Sequence, residues 1–133
     1  MTTYHTLRLK PDMDLGHEIE RFVTGNKIQA GAVMTCVGSL SQAVLRLADN
    51  REHTSYPGPF EIVNLVGTVS VHGSHLHLSL SDKEGVTIGG HLVPGNRIYT
   101  TAEIVLISFP EVVYRRELCD LSGYPELVVE PRK

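Results

Sequence analysis

The sequence is poor in basic charge, which limits the partners it can bind. Its 133 residues carry 12 lysines and arginines against 15 aspartates and glutamates, a formal net charge of −3. No basic run is longer than two residues, and no Arg-Gly-Arg-Pro arm suited to a DNA minor groove is present. The basic residues are too scattered to predict a nucleic-acid-binding patch: Arg46, Arg51, Arg97, Arg115, Arg116, Arg132 and Lys133.

Cysteine is scarce as well. The two cysteines, Cys36 and Cys119, form no CxxC motif. Both lie in apolar, strand-like segments. We therefore expect buried, reduced thiols of a cytoplasmic protein rather than a disulfide.

Long apolar runs are also missing. No stretch approaches the roughly 18 consecutive apolar residues that a membrane-spanning helix needs. The first residues, Met1 to His5, lack the charged and apolar regions of a signal peptide. We therefore expect a cytoplasmic protein that does not associate with membranes.

What the sequence does contain is one helix pattern and a series of short strand patterns. Its length suits a single domain over residues 1–133. Asp14 can cap a helix that ends at Gly25-Asn26 and whose apolar residues share one face: Leu15, Ile19, Phe22 and Val23. Strands are predicted over residues 3–10, 30–40, 43–48, 60–71, 75–81, 86–93, 100–108 and 112–118.

Short turns between these strands favour local antiparallel pairing. The predicted fold class is α+β, with a curved, largely antiparallel, barrel-like meander and one main amphipathic helix packed on one side. The longest polar stretch, residues 49–59, contains Pro57-Gly58-Pro59 and is predicted to be a loop.

The most informative segment is His75-Leu76-His77, because alternate strand residues share a face and place both imidazoles side by side. Lys83-Glu84-Gly85 fits a three-residue hairpin loop with Asp82 facing Val86. Pairing counted back from that turn sets Leu78 opposite Gly90 and His77 opposite His91. All three histidines then share one face.

Two interpretations of this face are open. Polar residues of an amphipathic strand commonly face water, and the opposite stripe of Leu76, Leu78 and Leu80 suits a core. Alternatively, three imidazoles with an open coordination position suit a divalent transition metal, zinc above all. His72 is assigned to a loop, and His5, His17 and His53 lie in unrelated segments and are expected to face solvent.

Three charged residues in strand segments are further candidates. Glu103 is a lone carboxylate on one face of an apolar strand, and Glu61 poses the same choice between an ion pair or solvent contact and a catalytic role. Either is a candidate general base acting on metal-bound water, and Glu103 is also a candidate fourth ligand. Arg8 is a candidate for binding an anionic ligand or for pairing with one of these acids.

These residues resemble a known family. His75-Leu76-His77, Gly89-Gly90-His91 and Thr101-Ala102-Glu103 are similar to the domain of plants and prokaryotes called PPC or PCC, also known as DUF296. The resemblance spans almost the whole chain, and its specific part is the histidine block.

The resemblance implies a curved antiparallel sheet in a homotrimer, with a fold similar to that of acetolactate decarboxylase, a zinc enzyme that also uses a His-x-His pair and a later histidine. It implies metal ligation by His75, His77 and His91, and Glu103 matches the Thr-x-Glu position that follows. Bacterial members carry a DNA-binding label, whereas in plant members an accompanying AT-hook would grip the minor groove. This sequence has no AT-hook, so direct DNA binding is not expected.

Three hypotheses follow. The first is a stand-alone, metal-binding, trimeric PPC-type domain with a role in assembly, ligand sensing or regulation. The second is a zinc-dependent hydrolase or decarboxylase that acts on a small carboxylate-bearing substrate, with the candidate residues Glu103, Glu61 and Arg8. The third is a nucleic-acid-binding protein, which the acidic composition disfavours.

Overall fold

The computed structural model describes residues 1–133, and most of them form antiparallel β-sheet with a single helix. The elements are β1 (Thr3–Leu9), α1 (Leu15–Gly25), β2 (Gly31–Arg46), β3 (His53–Val69), β4 (His75–Ser81), β5 (Thr87–Leu92), β6 (Arg97–Ser108), β7 (Val112–Leu118) and β8 (Pro125–Pro131). Six strands form one curved sheet in the order β1-β6-β2-β3-β4-β5, and β7 and β8 form a separate hairpin.

The helix α1 forms where its sequence pattern predicts it. The Asp14 side chain accepts a hydrogen bond from the backbone N–H of His17 at 3.0 Å and so caps the first turn. The residues Leu15, Ile19 and Val23 are fully buried and join the core of the sheet. Neither its length nor its composition allows α1 to cross a bilayer.

The sheet curls so far that β5, at one edge of the sheet, also pairs with β2. The strands β2 to β5 pair consecutively, and β5 also pairs with the end of β2, Leu45 with Leu92 and Arg46 with His91. The predicted meander holds only for these four strands, because β6 lies between β1 and β2. The chain passes through α1 between β1 and β2, and this long connection leaves room for β6.

Two segment predictions need correction. Residues 30–40 and 43–48 form one strand, β2, with an irregularity in pairing between Leu40 and Gln42. The predicted loop 49–59 is largely strand, since β3 begins at His53 and pairs Pro57 with Gln42. Prolines are tolerated here because this part of β3 pairs only with β2, and β4 joins β3 from Glu61 onward.

The hairpin of β7 and β8 was predicted only in its first strand. The strand β8 is short, bounded by prolines and mostly exposed, so it lacks a strong alternation of apolar residues. Cys119, in the turn of this hairpin, is partly exposed rather than buried, whereas Cys36 is buried as predicted, and both thiols are free.

Candidate metal centre

The three histidines lie on the outer face of the β4–β5 hairpin. His77 pairs with His91 and Leu78 with Gly90, and the Asp82 N–H donates to the Val86 carbonyl at 2.9 Å across the turn. The predicted register is confirmed. The side chains of Leu76, Leu78 and Leu80 are buried on the opposite face, so the core itself fixes which side the imidazoles occupy.

The three imidazole rings cluster tightly. Their centroids lie 4.9 Å apart for His75 and His77, 5.3 Å for His75 and His91, and 5.8 Å for His77 and His91. One ring nitrogen from each lies within 4.8 Å of the other two, and the Nε2 atoms of His75 and His77 are 3.2 Å apart. Because imidazole nitrogens bind zinc at about 2.0–2.1 Å, small side-chain rotations bring all three onto one ion. The group is able to hold a metal ion.

The surroundings of His75 and His91 favour the neutral form of both imidazoles. Burial, followed by the Arg46 cation, lowers the pKa of His91 from 6.5 to about 4. Burial and the neighbouring His77 also lower the pKa of His75. Neutral imidazole is the metal-binding form. In addition, the Nδ1 atom of His91 is buried without a hydrogen-bond partner. Buried polar atoms are normally paired, so this ring has an unused position for a ligand or a metal ion.

Arg46 is the charged residue closest in register to this group. It pairs with His91 on one side and with His53 on the other, so the three side chains lie in one row on the outer face. Arg46 as a whole is partly buried. The ion pairs of the chain are Met1–Glu111, Glu18–Arg21 and Arg115–Glu130, and Arg46 takes part in none of them.

A cleft opens between the histidines and the β7–β8 hairpin. Its volume is about 450 Å³, and its lining includes His75, His91 and Arg46 from the sheet with Arg116, Tyr124 and Glu126 from the hairpin. The Arg116 guanidinium donates to Thr68 Oγ1 at 3.0 Å, and Thr68 is the cross-strand partner of His75. The hairpin therefore brings a second arginine to the three histidines.

The other predicted site residues lie elsewhere in the sheet. Glu103 is exposed on β6, between Arg8 of β1 and Val37 of β2. Arg8 donates to Thr101 Oγ1 at 3.1 Å and to the Thr100 carbonyl at 3.2 Å. Glu61 is exposed on β3 opposite Ser81. Within one chain none of the three lines the cavities at the histidines, and their roles stay predictions.

Several neighbours of the histidines were not identified from the sequence: Arg46, Arg116, Tyr124 and Glu126. Arg46 is a charged residue at the end of the apolar β2 segment, and this was the one sign in the sequence of a special role. Its place beside His91 could not be predicted, because it depends on the pairing of β2 with β5. Tyr124 and Glu126 belong to the hairpin region whose second strand was not predicted. Among the other histidines, His5 is partly buried against Phe22, contrary to the expected exposure.

Comparison with known proteins decides the family. A sequence model of the Plants and Prokaryotes Conserved (PCC) domain matches residues 1–110. The chain belongs to the PCC domain family. The resemblance drawn from the histidine block is thus confirmed, and the β7–β8 hairpin of this PCC domain lies beyond the matched residues.

The curated relatives are much longer proteins. Two Synechococcus proteins, from strains JA-3-3Ab and JA-2-3B'a(2-13), carry the name bifunctional protein GlmU and are 48% and 47% identical over 126 and 127 residues. These alignments cover 95% and 96% of this chain but only 20% of each relative. This PCC domain therefore spans about a fifth of the length of these relatives.

Solved structures share the fold closely. A hypothetical protein from Salmonella enterica is 38% identical with a TM-score of 0.98, covering 100% of this chain and 96% of its own. A metal-containing protein from Archaeoglobus fulgidus is 25% identical with a TM-score of 0.81, covering 95% and 93%. Acetolactate decarboxylase from Bacillus subtilis, at 15% identity, a TM-score of 0.55 and 79% and 53% coverage, is similar in fold.

Proposed function

We propose that this PCC domain binds one divalent transition metal ion through His75, His77 and His91 and works as a homotrimeric module. The observation that carries the proposal is the convergence of three ring nitrogens within 4.8 Å on one sheet face. The metal-containing relative from Archaeoglobus fulgidus adds support.

Zinc is the proposed ion. Three imidazole ligands on a four-coordinate ion leave one open coordination position, the arrangement common in catalytic zinc sites. Copper, iron and nickel also accept imidazole ligands, so the choice of zinc rests on this ligand set and on the similarity in fold to acetolactate decarboxylase. When bound, the ion would supply Lewis-acid chemistry at that open position.

The proposed trimer accounts for apolar side chains that a single chain leaves exposed. On the main sheet, Tyr4 is 64% exposed, Val37 56% and Tyr99 52%, and the hairpin adds Leu118 at 71%. Burial of such side chains between copies of the chain is favourable. Light scattering should give three chains per particle, and Val37→Asp should lower that number.

A cobalt(II) titration tests the metal proposal directly. Metal-free protein should develop a visible absorption band that saturates at one ion per chain, and His75→Ala should abolish it. His17→Ala, on the exposed surface of α1, is the matched control and should behave as wild type. A natively folded wild-type protein that shows no saturable band would overturn the proposal.

A zinc-dependent hydrolase or decarboxylase is the second proposed function, favoured by the cleft of about 450 Å³ that opens beside the histidines. A water on the open coordination position would have its pKa lowered to about 7. Glu103 and Glu61 remain the proposed bases and Arg8 the proposed carboxylate anchor, supplied in a trimer by a neighbouring subunit. Turnover of small oxo- or hydroxy-acids by wild type, lost in Glu103→Gln with the metal retained, would establish this reaction class.

A further inference from the structure

We infer that Arg46 and Arg116 form an anion-binding site beside the three histidines, suited to a small monocarboxylic acid whose carboxylate reaches the open coordination position. This inference rests on the proposed metal site. It replaces Arg8, which lies outside the cleft, as the anchor for a carboxylate within one subunit.

Arg46 is a cation without an anionic partner beside the histidines. It is partly buried, lies cross-strand from His91, and has no carboxylate partner within 4.0 Å. A partly buried arginine without an anionic partner is less stable than a paired one, and a divalent ion on the adjacent histidines would add repulsion. A bound carboxylate relieves both effects because it can accept two hydrogen bonds from the fork of the guanidinium and still offer an oxygen to the ion.

Arg116 lines the same cleft as Arg46. Its hydrogen bond to Thr68 Oγ1 orients the guanidinium at the cleft, and it too is absent from the ion pairs of the chain. Two arginines from separate elements, the end of β2 and the β7 strand, thus line the same cleft. An ordinary surface arginine is surrounded by water, and its side chain is neither held by such a hydrogen bond nor shares a cleft with a second arginine.

The lining of the cleft also limits the charge of its ligand. Glu126 lines it together with the two arginines, and this carboxylate disfavours a ligand with a second negative charge, such as a phosphate dianion. Glu126 and the Tyr124 hydroxyl are suited to hydrogen-bond a hydroxyl or keto oxygen. A volume of about 450 Å³ has ample room for a small hydroxy- or oxo-acid, so the charges of the lining rather than the size of the cleft select the ligand.

The test uses cobalt-loaded full-length protein, with lactate and inorganic phosphate as probes. Lactate should shift the visible cobalt spectrum saturably in wild type, and phosphate should bind more weakly. Arg46→Gln should weaken lactate binding by about tenfold or more, and Arg116→Gln should weaken it to a smaller extent. Arg21→Gln, on the surface of α1 and paired with Glu18, is the matched control and should bind lactate as wild type does.

Failure of the metal site and failure of the anion site give different results in this test. If wild type takes up no cobalt, the proposed function fails and this inference fails with it. If Arg46→Gln retains cobalt and binds lactate as tightly as wild type, the anion site is wrong while the metal site stands. Tighter binding of phosphate than of lactate would overturn the ligand class. Should Arg46→Gln not fold, Arg46→Lys keeps the charge without the fork and is expected to weaken lactate binding.

Discussion

Arg46 and His91 are cross-strand partners where the end of β2 meets β5. This pair places a permanent cation next to an imidazole of the proposed metal centre, and the cation contributes, after burial, to the low pKa of His91, about 4. The pairing links the proposed metal centre to the proposed anion site, because one strand contact positions both groups.

Arg46→Gln is expected to tighten metal binding. Removal of a neighbouring cation reduces repulsion on the ion, by roughly three- to tenfold in affinity for a partly solvated site. Competition with a chromophoric chelator, in buffer free of carboxylates and phosphate, measures this change. Weaker metal binding in a folded variant would instead assign Arg46 a purely structural role.

Gly90→Ala is expected to weaken both the fold and the metal site. A Cβ atom at Gly90 would lie 2.8 Å from the Arg46 carbonyl oxygen and 3.3 Å from Leu45 Cβ, so β5 must move away from β2. We expect a loss of about 1–3 kcal/mol in the free energy of unfolding, measured by urea denaturation, and weaker zinc binding.

Gly25→Ala is the matched control for that variant. No atom lies within 4 Å of a Cβ at Gly25, at the end of α1. The substitution should leave zinc affinity unchanged and alter stability by no more than about 1 kcal/mol. If Gly90→Ala matched this behaviour, the close contact of β5 with β2 would not be important for the site.

Asn96→Ala is expected to be strongly destabilising. Asn96 is fully buried; its side chain accepts from the Val44 N–H at 3.0 Å and donates to the carbonyls of Val44 and Val93 at 2.9 and 2.8 Å. Loss of these bonds leaves buried backbone groups unpaired, at a cost of about 2–4 kcal/mol. Urea denaturation measures this loss, with Asn50→Ala, at an exposed position outside the helix and strands, as the control. Equal free energies of unfolding for the two variants would show that the Asn96 hydrogen bonds do not stabilise the fold.

Cys36 should make stability depend on alkaline pH. Burial raises the pKa of its thiol from 9.0 to about 12, so above pH 9 the unfolded chain releases a proton that the native state retains. The resulting contribution to stability is complete below pH 9 and is lost as the pH rises towards about 12. The advantage of wild type over Cys36→Ala in free energy of unfolding should therefore shrink across that window. A constant difference would show that the thiol is not shielded.

The sequence predicted features whose cause is local. Asp14 and Asn26 cap the two ends of the helix, because each side chain hydrogen-bonds a backbone group within one turn, and the register of His77 with His91 follows from a three-residue turn and the leucine stripe behind it. The contact of Arg46 with His91 was not predictable in this way, because it depends on how far the whole sheet curls. The start of β3 was missed for a related reason, since its pairing with β2 outweighs the local effect of Pro57.

The most direct test of the metal centre is the metal content of tag-free protein measured by plasma mass spectrometry. Wild type and His17→Ala should each carry close to one zinc or other transition metal ion per chain, and His77→Ala should carry almost none while keeping its fold by circular dichroism. Wild-type protein that is folded and free of metal, and that takes up none from a zinc-containing buffer, would contradict the account and return the three histidines to an ordinary polar sheet face.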